Sequence, residues 1–339
     1  MFLLNLVKLI PFVFYFLKTQ RQINAPSIDS YLQPFYAKHN KNLKESTLLK
    51  IKNFYSISIH LCCASYKKLY GGKLSDKERE LATLTAICTP VIDDFTDDKT
   101  LSKEALDKLT SAPYDYEPKT LEEDIAKTSV GILLANVKCP VDFSDSLKQV
   151  MQAQHWSMNQ MDPTISGDEL LEITIEKGAR YQILCHHLID DALTRQTMDA
   201  LYLLGGMLQL NDDIFDVYID YKENITTCAN TSDDYKVLEQ YYTEECKKFV
   251  AQARALPCKK QDIEFFIILF STIMARGIVA LRRLNKLQKR LGGGVLPIAQ
   301  LDRKQLICDM ENPMNFLKML WFAYTIQTRF NYNTTFKSK

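Results

Sequence analysis

Two short stretches of an otherwise apolar sequence are crowded with aspartates. The first is DDFTDD at 93–98, which follows an apolar run at 81–92. If a helix continues through it, residues four apart, such as Asp93 and Asp97, share one face, so four carboxylates lie on about one turn. Like charges at this spacing repel each other unless cations or solvent relieve them. A solvated acidic helix end is the alternative interpretation of this stretch.

The second stretch is NDDIFDVYID at 211–220, inside a long apolar segment that begins near Ala192. Asp212, Asp216 and Asp220 recur at every fourth residue, which aligns them along one stripe of a helix. Solvation explains this stretch less well, because unpaired charge in so apolar a helix costs several kcal/mol. Carboxylates without a His or Cys partner suit Mg²⁺ rather than zinc, and Mg²⁺ leaves coordination positions for substrate phosphates. The two stretches together predict a shared site for Mg²⁺ and a diphosphate.

These stretches resemble the two metal-binding motifs of the class I isoprenoid (terpene) synthase superfamily. DDFTD at 93–97 is similar to the first aspartate-rich motif, DDxxD, and GGMLQLNDDIFD at 205–216 is similar to the second motif of the trans-prenyltransferases. The fourth-residue repeat of aspartates also has the spacing of the second metal motif of terpene synthases, with Asp in place of its Ser or Thr and its Glu. About 120 residues separate the two motifs, as is typical of the superfamily. The resemblance covers roughly 48–290 and implies an all-α bundle around a deep apolar pocket.

The resemblance implies a terpene synthase, or cyclase, that ionises an allylic prenyl diphosphate and releases a terpene product and diphosphate. Such an enzyme uses about three Mg²⁺ ions, with Mn²⁺ as an alternative. The implied catalytic residues are Asp93, Asp94, Asp97, Asp212 and Asp216. The implied metal ligands are Asp93, Asp97, Asp98, Asp212, Asp213, Asp216 and Asp220.

Four basic residues are candidates to bind the substrate diphosphate: Lys177, Arg180, Lys222 and Arg276. Lys177 and Arg180 lie about thirty residues before the second motif, in a region where related enzymes carry diphosphate-binding residues. Gly178 between them predicts a helix break that exposes backbone groups to the substrate. An exposed, charged helix end is the alternative for this pair. Arg276 lies alone among Ile, Phe and Met, so it needs an anionic partner.

Departures from the family pattern favour a cyclase over a chain-elongating enzyme. Elongating enzymes continue the first motif into Arg-Arg-Gly and carry Gly-Lys-Arg upstream, whereas this chain continues as KTLSKEALDKL and has only GGK at 71–73, which predicts a capping turn. A trans-prenyltransferase that elongates or condenses prenyl diphosphates, including squalene or phytoene synthase-like coupling, is the alternative. In trans-prenyltransferases the residues just before the first motif form the pocket floor, and the resemblance implies this role for Cys88 and Thr89, which are both small. Near the C-terminus, Arg329 and Tyr332 are similar to the Arg-Tyr pair of terpene synthases.

Two non-enzymatic interpretations stay open. A helical interaction protein whose N-terminus touches a membrane would not need its two acidic stretches to converge. A degenerate synthase would serve as the partner subunit of another enzyme. Convergence of the Asp93 and Asp212 carboxylates on one diphosphate discriminates between these interpretations and an active synthase.

Composition and periodicity indicate which elements position these residues. Of the 339 residues 46% are hydrophobic, the formal charge is only +1, and Gly and Pro number 11 each. This balance gives no basic surface for nucleic acid, and the scarcity of turn residues favours helices. Apolar residues recur at three- and four-residue spacing without sustained alternation, which predicts one all-α domain at 26–339. Helices are predicted at 48–70, 78–92, 121–134, 144–158, 170–190, 192–221, 235–254, 263–290 and 303–328.

The segment 1–25 is the one ambiguous targeting feature. Lys8 and Pro11 interrupt its apolar run, which is shorter than the ~20 residues that span a bilayer. It therefore predicts a first helix or an interfacial segment that packs on the core or on a membrane surface, with a signal or anchor segment as the alternative. The nine cysteines form no CxxC pair, which favours reduced thiols in a cytoplasmic protein. Peripheral membrane contact and a homodimer are both left open.

Overall fold

The computed structural model of the protein describes residues 2–328, with the side chains of residue 7 and residues 9–328. Arg329 and Tyr332 lie outside the described residues. Throughout residues 2–328 the regular structure is helical and contains no strand, so the prediction of an all-α fold is confirmed. The α-helices are α1 Phe2–Thr19, α2 Ala25–His39, α3 Glu45–Lys50, α4 Ser56–Leu69, α5 Asp76–Asp97, α6 Lys103–Ser111, α7 Leu121–Asn136, α8 Pro140–Ser157, α9 Gly167–His186, α10 Arg195–Phe215, α11 Val217–Lys222, α12 Tyr235–Arg254, α13 Lys260–Arg290, α14 Arg303–Leu306 and α15 Pro313–Thr328.

Contacts between Cα atoms divide the chain into two compact units. Of the described residues, the first unit contains residues 2–6, Asn159–Ala179 and residues 194–328, and the second contains Val7–Met158 and Arg180–Leu193. Helix α9 contributes its first turns to the first unit and its last turns to the second. The first acidic stretch belongs to the second unit, and the second acidic stretch belongs to the first unit. A single domain at 26–339 stays a prediction.

Helix α5 is the central element of the second unit and carries the first acidic stretch at its end. Ser75 begins the helix with a capping box, in which its hydroxyl accepts from the Glu78 N–H at 3.2 Å and the Glu78 carboxylate accepts from the Ser75 N–H at 2.7 Å. The middle of the helix is buried on nearly every side, because α4, α7 and α8 pack around it. The buried apolar residues end at Phe95. This burial fixes the orientation of the aspartates around it.

Helix α13 is the central element of the first unit. It packs against α10, α12 and α15. Phe266 and Phe270 of α13 contact Phe249 of α12, with ring centroids 5.8 Å and 6.5 Å apart, and anchor this packing. By length and composition α13 is also the one described helix apolar enough to cross a membrane, although 72% of its most apolar stretch is buried inside the protein. A core helix has the same properties.

The predicted helices differ from the observed ones mainly in their interruptions. The segment predicted at 192–221 divides at Asp216 into α10 and α11, and that at 303–328 divides into α14 and α15, where Pro313 begins the second helix. The segment at 48–70 is helical but contains a π-helical turn, Ile51–Tyr55, between α3 and α4. Helices α2 and α6 were not predicted, because each buries only two or three residues and α6 has only nine residues, so few apolar positions mark either helix in the sequence.

The N-terminal segment forms a helix, α1, as predicted. Leu9 and Phe16 are buried, whereas Ile10, Phe14 and Leu17 are 51%, 71% and 43% exposed. The helix therefore packs one apolar stripe and leaves another in solvent. Contact of the exposed stripe with a membrane surface stays a prediction.

Candidate functional site

Asp93 lies at the end of α5 on the side that faces Tyr55 and α9. The hydroxyl of Tyr55, in the π-helical turn, donates to the Asp93 carboxylate at 2.6 Å. Asp93 also lines an apolar cavity together with Tyr181, whose hydroxyl donates to Thr89 at 3.2 Å. The structure thus places Asp93 beside apolar space.

Asp94 and Asp98 lie on a different side of α5, where basic residues of the segment before it hold them. The Thr47 hydroxyl donates to Asp94 at 2.5 Å and the Lys50 ammonium at 3.0 Å, while the Lys44 ammonium donates to Asp98 at 2.8 Å. These contacts neutralise the adjacent carboxylates, as expected of an acidic helix end. Asp97 is exposed on the last turn of α5. The stretch therefore contains two carboxylates, Asp94 and Asp98, that pair with lysines at the exposed end of the helix.

The cavity beside Asp93 is narrow. Helices α5, α7, α8 and α9 line it, and Asp93 is the one charged residue among its described lining residues. Cys88 and Thr89, the residues predicted to form a pocket floor, are both part of the lining. Its volume is about 30 Å³, whereas ligand pockets occupy roughly 300–1,000 Å³. A prenyl chain would fit only after flexible lining side chains such as Met151 move.

The second acidic stretch spans the junction of α10 and α11. Asp216 has φ −96° and ψ 11°, which ends α10, yet its N–H still donates to the Asp212 carbonyl at 2.9 Å. The Asp220 N–H donates in turn to the Asp216 carbonyl at 2.8 Å. The predicted stripe of three aspartates therefore persists through a bend rather than along one straight helix.

Asp213 is the most firmly held carboxylate of this stretch. The hydroxyl of Thr174 on α9 donates to one of its oxygens at 2.8 Å, and the amide of Gln209 donates to the other at 3.1 Å. Asp213 is buried, and burial raises its pKa, although these two hydrogen bonds and Lys177 oppose the rise. It fixes α9 against α10 beside the other aspartates.

The other aspartates repel one another in a half-buried setting. Burial raises the pKa of Asp212 from 3.8 to about 7, with Asp216 and Asp213 adding to the rise. The pKa of Asp220 is raised to about 8, mainly by burial and further by the charges of Asp213, Asp216, Asp212 and Glu223. The pKa of Asp216 is raised in the same way, against the opposing charge of Arg303. Ionising all of these carboxylates at neutral pH therefore requires additional positive charge nearby.

Two of the predicted diphosphate-binding residues act on this cluster. The charges of Lys177 and Arg276 both lower the pKa of Asp212. The Arg276 guanidinium lies 4.7 Å from the centroid of the Phe215 ring, and its buried Nε has no hydrogen-bond partner among the described residues. Arg276 therefore has the anionic neighbour that its sequence context predicted, and it retains an unused donor.

The other two predicted basic residues are placed differently. Arg180 lies in the second unit, where its guanidinium donates to Gln149 at 2.8 Å. Lys222 is exposed at the end of α11, with its ammonium 5.6 Å from the centroid of the Tyr218 ring. Arg303, which the sequence reasoning missed, is the further basic residue whose charge acts on Asp216.

The predicted helix break at Gly178 is wrong. Helix α9 continues through Gly178, and a Cβ added there would lie 2.2 Å from the Gly205 carbonyl oxygen on α10. A Cβ added at Gly205 would likewise lie 2.3 Å from the Gly178 carbonyl oxygen. The glycine allows two helix backbones to touch, which brings Thr174 and Lys177 close to the aspartates of α10.

A preformed metal site is not found within the described part of the chain, since no three His, Cys, Asp or Glu side chains are grouped closely enough to hold an ion. Mg²⁺ usually binds one or two carboxylates and completes its shell with water and substrate phosphate. Mutually repelling carboxylates with raised pKa values provide hard oxygen ligands of this kind. The chemistry of the second stretch is compatible with Mg²⁺, and Mg²⁺ binding there stays a prediction.

We expect the stability of the metal-free protein to fall as the pH rises from about 6.5 to about 8. The folded-state pKa values of Asp212 and Asp220, about 7 and about 8, exceed the ordinary 3.8, so the native state binds more protons than the unfolded state across this window. Urea unfolding at several pH values measures the slope, and Mg²⁺ should restore stability mainly at the alkaline end. Asp220→Asn should flatten the slope, whereas Asp199→Asn, which changes a partly exposed residue of α10, should not. A wild-type profile that is flat or rises over this window would contradict the expectation.

Comparison of the chain with protein-family models, curated proteins and solved structures gave no match. The resemblance of its two acidic stretches to the class I isoprenoid synthase motifs stays a prediction. The chemistry of the side chains described above carries the functional proposal.

Proposed function

We propose that the protein is a Mg²⁺-dependent class I terpene synthase that ionises one allylic prenyl diphosphate. The observation that carries this proposal is the cluster of Asp212, Asp213, Asp216 and Asp220, which lacks enough positive charge to ionise fully. An anionic substrate alone would worsen this repulsion. A diphosphate that arrives together with Mg²⁺ relieves it, so the cluster favours this pair of ligands over either an isolated anion or a neutral compound.

Each group of residues has a role in this reaction. Asp212, Asp216 and Asp220 would hold Mg²⁺, while Asp213 keeps α9 and α10 in register. Arg276 and Lys177 donate to the substrate phosphates, and the unused Nε of Arg276 is available for this contact. When bound, Mg²⁺ supplies positive charge that stabilises the departing diphosphate.

The first acidic stretch has a matching role in the proposal. Asp93, with Asp97 beside it, would bind a further Mg²⁺, while Asp94 and Asp98 keep their lysine partners and anchor α3. The apolar residues around Asp93 would receive the prenyl chain and exclude water, since water would capture the carbocation early. The ring of Tyr181 lines this cavity and is suited to stabilise a cation by its π face.

Incubation of the full chain with Mg²⁺ and single allylic diphosphates of increasing length tests the proposal. We expect a hydrocarbon or alcohol product from one allylic diphosphate alone, released together with inorganic diphosphate. The same reactions with isopentenyl diphosphate added identify the alternative reaction. A longer diphosphate that forms only in its presence would replace the cyclase by a trans-prenyltransferase, and coupling of two identical diphosphates would indicate squalene or phytoene synthase-like chemistry.

Two further results would reject catalysis altogether. If no substrate is turned over but inorganic diphosphate with Mg²⁺ still binds, as measured by calorimetry, the chain is a degenerate synthase. If neither turnover nor Mg²⁺-dependent diphosphate binding occurs, a helical interaction protein is the better description. Asp76→Asn on α5, which changes a fully exposed residue paired with Arg79, is the matched control for changes at Asp93.

A further inference from the structure

Helix α15 leaves a stripe of large apolar side chains in solvent. Met314, Leu317, Trp321 and Tyr324 recur at spacings of three and four residues and are 58%, 59%, 55% and 40% exposed. We call these four exposed residues the α15 stripe. The opposite side of the helix, which includes Ala323 and Ile326, is buried and packs against the core.

A basic groove of about 990 Å³ runs beside this stripe, formed by α12, α13, α14 and α15. Its two acidic residues are already paired, Glu239 with Arg282 and Glu244 with Lys247. Six further cations in the lining form no ion pair with any described residue: Lys236, Arg283, Lys286, Lys289, Arg290 and Lys318. The groove thus carries a surplus of positive charge, although the whole chain has a formal charge of only +1.

The groove and the α15 stripe form one continuous surface. Lys318 lines the groove and lies one helical turn from both Met314 and Trp321. The Arg282 guanidinium of α13 lies 4.2 Å from the centroid of the Phe322 ring of α15, which holds the two helices side by side. An object that contacts the stripe therefore also meets the groove cations.

We propose that this surface binds the face of an anionic lipid bilayer. Tryptophan and tyrosine on a rigid helix favour the boundary between head groups and acyl chains, and unpaired lysines beside them attract acidic head groups. A second copy of the chain fits less well, because pairing two α15 stripes face to face brings two sets of unpaired cations together. The binding stands apart from the proposed catalytic function and does not depend on it.

Flotation of the full chain with vesicles tests this inference. We expect binding to phosphatidylcholine vesicles that contain phosphatidylserine, weaker binding at high salt, and little binding to phosphatidylcholine alone. Lys286→Glu with Lys289→Glu should weaken binding by about 10-fold or more, and Trp321→Glu should do the same. Matched controls are Lys260→Glu at the other end of α13 and Val141→Glu, a 73% exposed apolar residue on α8; neither should alter binding.

Fluorescence identifies the inserted side chain. The chain has two tryptophans, Trp156 and Trp321, so a blue shift on vesicle binding that disappears in Trp321→Phe places α15 in the head-group region. Equal binding of the charge-reversed variant and the wild type would overturn the inference. Loss of binding only in Phe14→Glu would overturn it in favour of α1, and a dimer that Trp321→Glu dissociates without any vesicle binding would identify a second copy as the occupant.

Discussion

Replacing Asp212 by Asn is expected to reduce turnover of the allylic diphosphate by about 10²–10³-fold or more. Asp212 is acted on by four nearby charges, those of Asp213, Asp216, Lys177 and Arg276. An amide of the same shape keeps the packing but removes a negative ligand, so positive charge is no longer held where the leaving group develops its negative charge. Product formation and diphosphate release in single-turnover reactions measure the loss.

Stability measurements separate this effect from misfolding. Because the asparagine side chain is neutral, the metal-free Asp212→Asn protein should be at least as stable as the wild type at about pH 8. Asp199→Asn, on the same helix and 43% exposed, should keep full activity. Asp93→Asn should lose activity to a similar degree if both acidic stretches serve one reaction. Retention of wild-type turnover by Asp212→Asn would contradict the proposed metal-binding role of α10 and α11.

Replacing Gly178 by Ala is expected to lower the free energy of unfolding by about 3 kcal/mol or more. The added Cβ would meet the Gly205 carbonyl oxygen at 2.2 Å and the Gln209 Cβ at 2.6 Å. Backbone atoms of a packed helix cannot move aside as a flexible side chain does, so α9 and α10 must separate. The gain of about 1 kcal/mol in helix propensity does not offset this loss. Urea unfolding, with the midpoint and the slope both fitted, measures the difference.

Gly167 provides the matched control, because it lies on the same helix and a Cβ there would have no heavy atom within 4 Å. Gly167→Ala should change stability by no more than about 0.5 kcal/mol. Gly205→Ala, which meets the same contact from the other helix, should resemble Gly178→Ala. Equal stability of Gly178→Ala and Gly167→Ala would show that the two backbones are not in contact.

Local periodicity predicted much of the fold. The apolar pattern placed α12 at its observed limits, Tyr235–Arg254, and placed most other long helices within a few residues, because each presents a regular stripe to the core. The pattern did not predict the end of α10 at Asp216, where the backbone leaves helical geometry without a Gly or Pro to indicate it. It also gave the wrong role to Gly178, since a glycine that breaks a helix and one that admits a neighbouring helix look alike in a single sequence.

The candidate site was predictable in its acidic half and less so in its basic half. Asp93 and the aspartates of α10 and α11 were visible as motifs, and Arg276 was visible as a lone charge in an apolar helix. Lys44, Thr47 and Lys50 were not identified from the sequence. Their three-residue spacing places them on one side of a helix, and this pattern indicated a basic surface that could pair with an acidic helix. These residues pair with Asp94 and Asp98, which lie about fifty residues further along the chain. A pattern of residue types within one helix does not indicate contacts over such a distance.

The π-helical turn at Ile51–Tyr55 determines which kinds of mutation can change the surroundings of Asp93. A π-helical turn contains one more residue than an α-helical turn closed over the same stretch, so loss of one residue within it restores regular α-helical winding. The side chains on either side would then rotate relative to each other by about 100°. Tyr55 would then no longer be positioned to donate its hydrogen bond to Asp93, although no residue of α4 itself would have changed. The number of residues in this turn, and not side-chain identity alone, therefore determines whether Tyr55 can donate to Asp93. A variant with one residue inserted or deleted here would hold the Asp93 carboxylate differently.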